Sequence, residues 1–487
     1  MSAKCVMVLG TTSGAGKSWL TTALCRFYAR QGFKVAPFKA QNMSNNARVV
    51  ADGEIGSAQY FQALAANSLP DVRMNPLLLK PERDTHSQVV LMGQVNNELS
   101  RMPWRGRSAS VWPVIAQALD ELRHENDVVV IEGAGSPAEI NLKDSDIVNM
   151  RVALHASASC LLVTDIDRGG AFAHLYGTWA MLDDAERKLI KGFVLNKFRG
   201  DASLLAPGPQ MLRDLTGVPT VATLPMWWQH GLPEEDGVFD DRTVYTNAGA
   251  VVTTIAVVAY PHISNLDEFQ ALKNVPGIRL KWARSPADLA NVDLIILPGS
   301  KHTSGDLAWV REQGIDAAIS AHAARGGAVL GICGGLQMLG ESIADPQGIE
   351  GGEARLSGLH VLPIATVFDA DKSVRRTEAQ FGSLSGRWAV LSGVKVSGYE
   401  IHHGQTLTEA NSAAAVLRDS SRNALAWQNA HGNVLGVYLH GLFEDTTVLQ
   451  ALFGRGGASH VPTLDSVFDG LADYTLKWQS SKSHIFL

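Results

Sequence analysis

The run Val6-Met7-Val8-Leu9 followed by Gly10-Thr11-Thr12-Ser13-Gly14-Ala15-Gly16-Lys17-Ser18-Trp19-Leu20 constrains the fold more than any other stretch of the chain. Four apolar residues read as a buried strand, the glycine-rich run as a turn, and Lys17 onward as a helix start. Glycine lets backbone N–H groups converge on a phosphate, and the helix N-terminus adds the positive end of its dipole. In that frame Thr12, Gly14, Ala15, Gly16, Lys17 and Ser18 form a nucleotide-binding loop. Lys17 is expected to meet the terminal phosphates, and the Ser18 hydroxyl to bind Mg²⁺. The spacing departs from GxxxxGK[ST], because Gly10 stands one residue early and Thr11 fills the usual glycine position.

Short apolar runs at Cys5–Leu9, Lys34–Phe38, Val128–Glu132, Cys160–Asp165 and Gly192–Asn196 read as buried parallel strands. Amphipathic segments such as Trp19–Gln31 and Val111–Glu125 lie between several of them, which implies an α/β fold with a doubly wound, mostly parallel sheet. A second α/β series follows at Thr253–Ala259, Ile278–Trp282, Leu294–Pro298, Ala328–Ile332, Gly358–Leu362 and Val434–Tyr438. The expected domains are residues 1–230, a linker at 231–250 that is acidic and contains Gly and Pro, residues 251–448, and a helical tail at 449–487.

A chain of 487 residues is long enough for two or three cores. With 46% hydrophobic and 18% charged residues it is globular rather than disordered. A net charge of −6 argues against a general nucleic-acid partner, which needs a basic face. Cys5, Cys25, Cys160 and Cys333 lie far apart, with no CxxC or Cys/His cluster, so reduced thiols are expected rather than a disulfide framework or a zinc site. The first strand runs straight into the loop, leaving no room for a cleavable signal, and no apolar run approaches the roughly 18–20 residues of a membrane span. A cytoplasmic location without a membrane partner is expected; homo-oligomer formation stays open.

At the end of Val128–Ile131 stands Glu132, where a Mg²⁺-coordinating carboxylate belongs in such sheets. Asn196 ends another strand, where it serves either to read adenine's edge or to shape a turn. In the second half, Gly331-Ile332-Cys333-Gly334-Gly335 follows an apolar strand and opens a helix. Glycines on both sides allow Cys333 strained dihedrals and leave room for a substrate, as in a nucleophile elbow. The helix start would lower the thiol pKa and offer N–H donors to an oxyanion. His440 ends a later strand, placed to act as base toward Cys333.

Gly10–Ser18, Phe38-Lys39 and Glu132-Gly133-Ala134-Gly135 together resemble dethiobiotin synthetase and its amidoligase relatives, which share the displaced glycine. That resemblance implies ATP and Mg²⁺, a role for Lys39 in neutralising an activated acid, and a further Mg²⁺ ligand from Asp52 or Glu54, with Glu54 the choice. Pro298-Gly299-Ser300, Gly331–Gly335 and His440 resemble class I glutamine amidotransferases, implying that Gly299, Ser300, Gly334 and Gly335 hold glutamine or its oxyanion. Leu442 stands where that family carries the glutamate that orients the histidine, and Glu444 lies two residues too far on. Phe38–Asn46, Asp165–Gly170 and Gly398–Gly404 look like signatures of the cobyric acid synthase family of cobalamin biosynthesis. This resemblance implies glutamine- and ATP-dependent amidation of the b, d, e and g carboxylates of adenosylcobyrinic acid a,c-diamide, giving adenosylcobyric acid. The nearest rivals are the cobyrinic acid a,c-diamide synthases and other glutamine-dependent amidoligases. A ParA/MinD-like nucleotide switch is more remote, since its signature lysine is replaced by Thr12.

Overall fold

The computed structural model describes residues 2–83, 86–228, 230–233, 251–351, 354–408, 413–454 and 463–478. Most of the expected linker, from residue 234, lies outside them, as do residues 455–462 and 479–487 of the expected tail. The chain divides into two units: Met1–Ser44, Val50–Leu232 and Thr463–Leu487 form one, Asn45–Val49 and Pro233–Pro462 the other, each taken over its described residues.

In the first unit the apolar runs make a six-stranded parallel sheet, in the order Thr220–Pro225, Ile190–Phe198, Ser159–Asp165, Lys4–Gly10, Val128–Glu132, Val35–Phe38. Its strands are apolar nearly throughout because both faces are covered; all five residues of Val128–Glu132 are buried. After Lys4–Gly10 the chain first fills one side of that strand and then the other. The switch point, where ligands collect in such sheets, therefore falls at the loop beyond Gly10. A smaller four-stranded sheet of Gln41–Met43, Leu77–Arg83, His86–Leu91 and Gln94–Val95 is inserted between the second and third strands of the large one. The helix Leu464–Lys477 buries Val467, Phe468, Leu471 and Ala472 in one core with Leu20, Leu24 and Phe27 of the helix Lys17–Arg30. Arg30 pairs with Asp473 at 2.7 Å, and Arg26 with Asp465.

The second unit starts as a parallel sheet of Ile278–Ala283, Thr253–Val258, Leu294–Leu297, Ala328–Ile332 and Val434–Val437. It continues antiparallel through Ala424–Gln428 and Ala414–Asp419 into the long pair Ala365–Phe381 and Lys395–Leu407. The strand expected at Gly358–Leu362 does not form. Those residues bury Leu359 and Leu362 as irregular chain, and their N–H groups go to the carbonyls of Met338, Leu339, Gly340 and Glu341 around the end of the helix Gly334–Leu339. A run of buried apolar residues signals burial, and helix-end carbonyls satisfy its backbone as well as a ladder would. Among the described residues, no helix is long and apolar enough to cross a membrane.

Candidate active sites

In the first unit the loop ends at Gly16, which caps the helix Lys17–Arg30 with φ of 100°. A side chain there would be strained and would also meet Asn196, whose Nδ2 lies 2.1 Å from the position a Cβ would take. Asn196 donates from that same nitrogen to the Ala15 carbonyl at 2.9 Å, so this amide braces the loop. Lys197 donates to the Gly14 carbonyl (2.8 Å) and to Asp165 (3.1 Å). The Lys17 ammonium donates to the carbonyls of Thr12 (3.2 Å) and Gly135 (3.3 Å), joining the loop to the turn after Glu132.

Glu132, buried at 1% exposure, is the hub of this site. One carboxylate oxygen accepts from Ser18 Oγ at 2.8 Å and from Lys39 Nζ at 2.9 Å; the other accepts from Gln62 Nε2 at 2.6 Å. Burial pushes its pKa upward, but the Lys39 ammonium and these hydrogen bonds outweigh it and hold the group below the usual carboxylate range. An ionised carboxylate touching a serine hydroxyl at the start of the loop helix is a hard-oxygen donor set that suits Mg²⁺. Glu54 is also buried, but in an ion pair with Lys80, and Asp52 lies in an exposed turn. Among the described residues no group of three or more His, Cys, Asp or Glu side chains converges as a metal site of its own. Gln62 escaped the sequence reading. Its signal is Gln59 and Gln62, three apart and both fully buried, on the largely apolar helix Ser57–Ala65.

In the second unit the carboxyl ends of three parallel strands bring Gly299, Cys333 and His440 together. Cys333 follows Ala328–Ile332 with φ 50° and ψ −107°, a strained conformation for a residue with a side chain. Gly335 is required by close approach, since a Cβ there would stand 2.0 Å from the Leu297 carbonyl oxygen. Gly334 lies against the Ser300 N–H, and Gly299 against the His440 ring. Ser300 donates to Asp306 at 2.6 Å and accepts from the His302 N–H at 3.0 Å.

The His440 ring is 1% exposed and interacts electrostatically with Cys333, whose thiol donates to the Ile401 carbonyl at 3.7 Å. Its Nδ1 meets Glu268 Oε1 at 3.2 Å, while the other Glu268 oxygen accepts from the Gly441 N–H at 3.1 Å. Burial drags the imidazole pKa down, yet the Glu268 carboxylate and Cys333 win and push it up to about 10. Glu268 is thus the carboxylate that holds the imidazole where Leu442 does not; Leu442 is buried, and Glu444 bonds to Arg48. Sequence reading left that orienting group open. Its signal is Asp267-Glu268 set between Leu266 and Phe269, an acid pair buried at 4% and 0% exposure. Burial raises the pKa of the other three thiols, Cys160 to about 12 and Cys5 and Cys25 also upward, so none of them is primed as a nucleophile.

Two family models cover the chain. The CobQ/CobB/MinD/ParA nucleotide binding domain matches residues 6–229, and the CobB/CobQ-like glutamine amidotransferase domain matches residues 254–448. A protein of Polaromonas naphthalenivorans named cobyric acid synthase is 75% identical over 479 residues, covering 97% of each chain. One of the same name from Variovorax paradoxus is 72% identical over 477 residues, again covering 97% of each. Among solved structures, PurLQS from Thermotoga maritima aligns with 42% of this chain and 98% of its own at 20% identity and a TM-score of 0.33, too distant to support a functional argument. The chain belongs to the cobyric acid synthase family.

Proposed function

We propose that this protein amidates the b, d, e and g carboxylates of adenosylcobyrinic acid a,c-diamide, using glutamine as nitrogen source and ATP as activator, to give adenosylcobyric acid. One observation carries the reading. The same chain holds a buried imidazole hydrogen-bonded to a buried carboxylate, at the end of the strand beside the one that carries Cys333, and an ionised glutamate shared by the loop serine and a lysine.

Cys333 Sγ attacks the glutamine side-chain carbonyl carbon as the thiolate, its proton held on the His440 imidazolium. His440 then protonates the leaving nitrogen, ammonia departs, and water hydrolyses the glutamyl thioester to glutamate, freeing the thiol. Glu268 keeps His440 oriented and stabilises it when protonated, the part a buried carboxylate plays in catalytic triads. The same proposal gives the oxyanion to Ser300, Gly334 and Gly335, of which Gly334 packs against the Ser300 N–H.

In the first unit the loop amides and Lys17 hold the ATP phosphates. A corrin carboxylate oxygen attacks the γ-phosphorus and ADP leaves. Ammonia then attacks the acyl carbon and phosphate departs, leaving the amide. Lys39, fixed beside Glu132, neutralises the acid as it is activated. Ser18 and Glu132 would hold Mg²⁺, which neutralises charge on the phosphates when bound. Glu54, engaged with Lys80, is not assigned to the metal. Near neutral pH ammonium dominates over ammonia, so a sheltered transfer of the neutral species is part of the proposal. A cytoplasmic location belongs to the same proposal, and four free cysteines suit it.

Cys333→Ala tests the division of labour. Glutamine-dependent amidation is lost, while high ammonium still supports amidation of the diamide with ATP. Loss of both activities in a folded variant counts against separate sites.

A further inference from the structure

We propose that Arg48, carried by the stretch Asn45–Val49, is a positioning residue for His440 in glutamine hydrolysis. A guanidinium at 1% exposure persists only with its charge matched, and the carboxylates and hydroxyl that accept from Nη1 and Nη2 of Arg48 lead to the imidazole.

Nη2 donates to Asp267 Oδ2 and Glu444 Oε1, both at 2.6 Å, and Nη1 donates to the Tyr399 hydroxyl at 2.6 Å. Asp267 immediately precedes Glu268 in the short turn Leu266–Phe269, so fixing one acid fixes the backbone that carries the other. The Tyr399 ring stacks on the His440 ring, with centroids 5.4 Å apart and planes 20° apart. The two residues also exchange backbone hydrogen bonds at 2.9 and 3.2 Å. Glu444 closes the turn after His440, its N–H donating to the Gly441 carbonyl at 3.0 Å.

The stretch itself clamps the same turn. The Ala47 N–H donates to Asn265 Oδ1 at 2.9 Å, and the Leu266 N–H donates to Asn46 Oδ1 at 2.8 Å. Three acceptors arranged around one side chain call for a planar fork; an ammonium is a point charge and reaches fewer of them in fixed geometry. Arg48 follows Lys39 by nine positions, and the chain on either side of its stretch, at Ser44 and Val50, belongs to the first unit. Part of the support for the glutaminase histidine is therefore encoded within the nucleotide-binding half, outside residues 254–448.

This inference rests on the glutaminase reading above. The test measures glutamine hydrolysis by the full-length chain, wild type against Arg48→Met, Arg48→Lys and Arg48→Ala, with folding checked by circular dichroism. The expected result for Arg48→Met is a kcat lower by about 10²-fold with KM for glutamine little changed, the pattern of a misplaced catalytic group. Arg48→Lys falls between Met and wild type, and added guanidinium restores part of the kcat of Arg48→Ala. A folded Arg48→Met with wild-type kcat, or a change confined to KM, overturns the proposal. If Arg48→Met does not fold, Arg48→Lys decides, and an unaltered kcat there overturns it equally. Absence of glutamine hydrolysis in the wild type would instead sink the glutaminase reading.

Discussion

At the scale of single residues, both sites are built by buried carboxylates that bind a neighbour's charge. His440 is held at about 10 instead of 6.5, so its pair with Glu268 stabilises the fold fully below about pH 6.5 and loses that contribution as pH climbs through about 10. The gap in urea midpoint between wild type and Glu268→Gln should accordingly be wide near pH 6 and narrow near pH 10; a gap independent of pH contradicts the pairing. The same variant should lose on the order of 10²–10⁴-fold in kcat for glutamine. In the first unit, Gln62→Leu strips a hydrogen bond from Glu132 and should slow ammonium-driven amidation roughly 10- to 100-fold, measured at steady state. Cys333, His440, Lys17, Ser18 and Glu132 stood out as candidates through strand-end position and glycine framing, and Lys39 through the family resemblance. Glu268 and Gln62 did not: each is an ordinary polar residue in a short helical segment, and only tertiary packing shows what it faces.

Among the elements, parallel strands covered on both faces announce themselves as apolar runs, and those runs were readable. The pair Ala365–Phe381 and Lys395–Leu407 is different, since much of it is exposed and its burial alternates irregularly around a register shift. Charged residues such as Asp369, Asp371 and Lys372 hide the strand from any periodicity. The inserted small sheet is masked for another reason, because its first strand, Gln41–Met43, buries two polar residues beside Leu77–Leu79 and exposes Met43. The C-terminal helix was visible as a helix, but which core it joins is set by Phe468 and Leu471. Phe468→Ala should cost roughly 3–5 kcal/mol of stability. Urea unfolding followed by circular dichroism checks this, and a loss under about 1 kcal/mol would contradict the packing.

For the molecule as a whole, the sequence order of the units misleads slightly. Asn45–Val49 leaves the first unit's sequence to join the second, and the last helix returns to the first. No local pattern encodes such exchanges, because they depend on where distant carboxylates and apolar faces end up. The two halves are nevertheless readable as separate chemistries, one freeing ammonia and one activating an acid. The most direct measurement supplies the full-length chain with adenosylcobyrinic acid a,c-diamide, ATP and glutamine labelled in its amide nitrogen, and follows the corrinoid by mass spectrometry. Four labelled nitrogens entering the diamide, dependent on both ATP and Cys333, is the result the account requires. An unlabelled or unchanged corrinoid, with amidation seen only on a precursor that lacks the a and c amides, would contradict it.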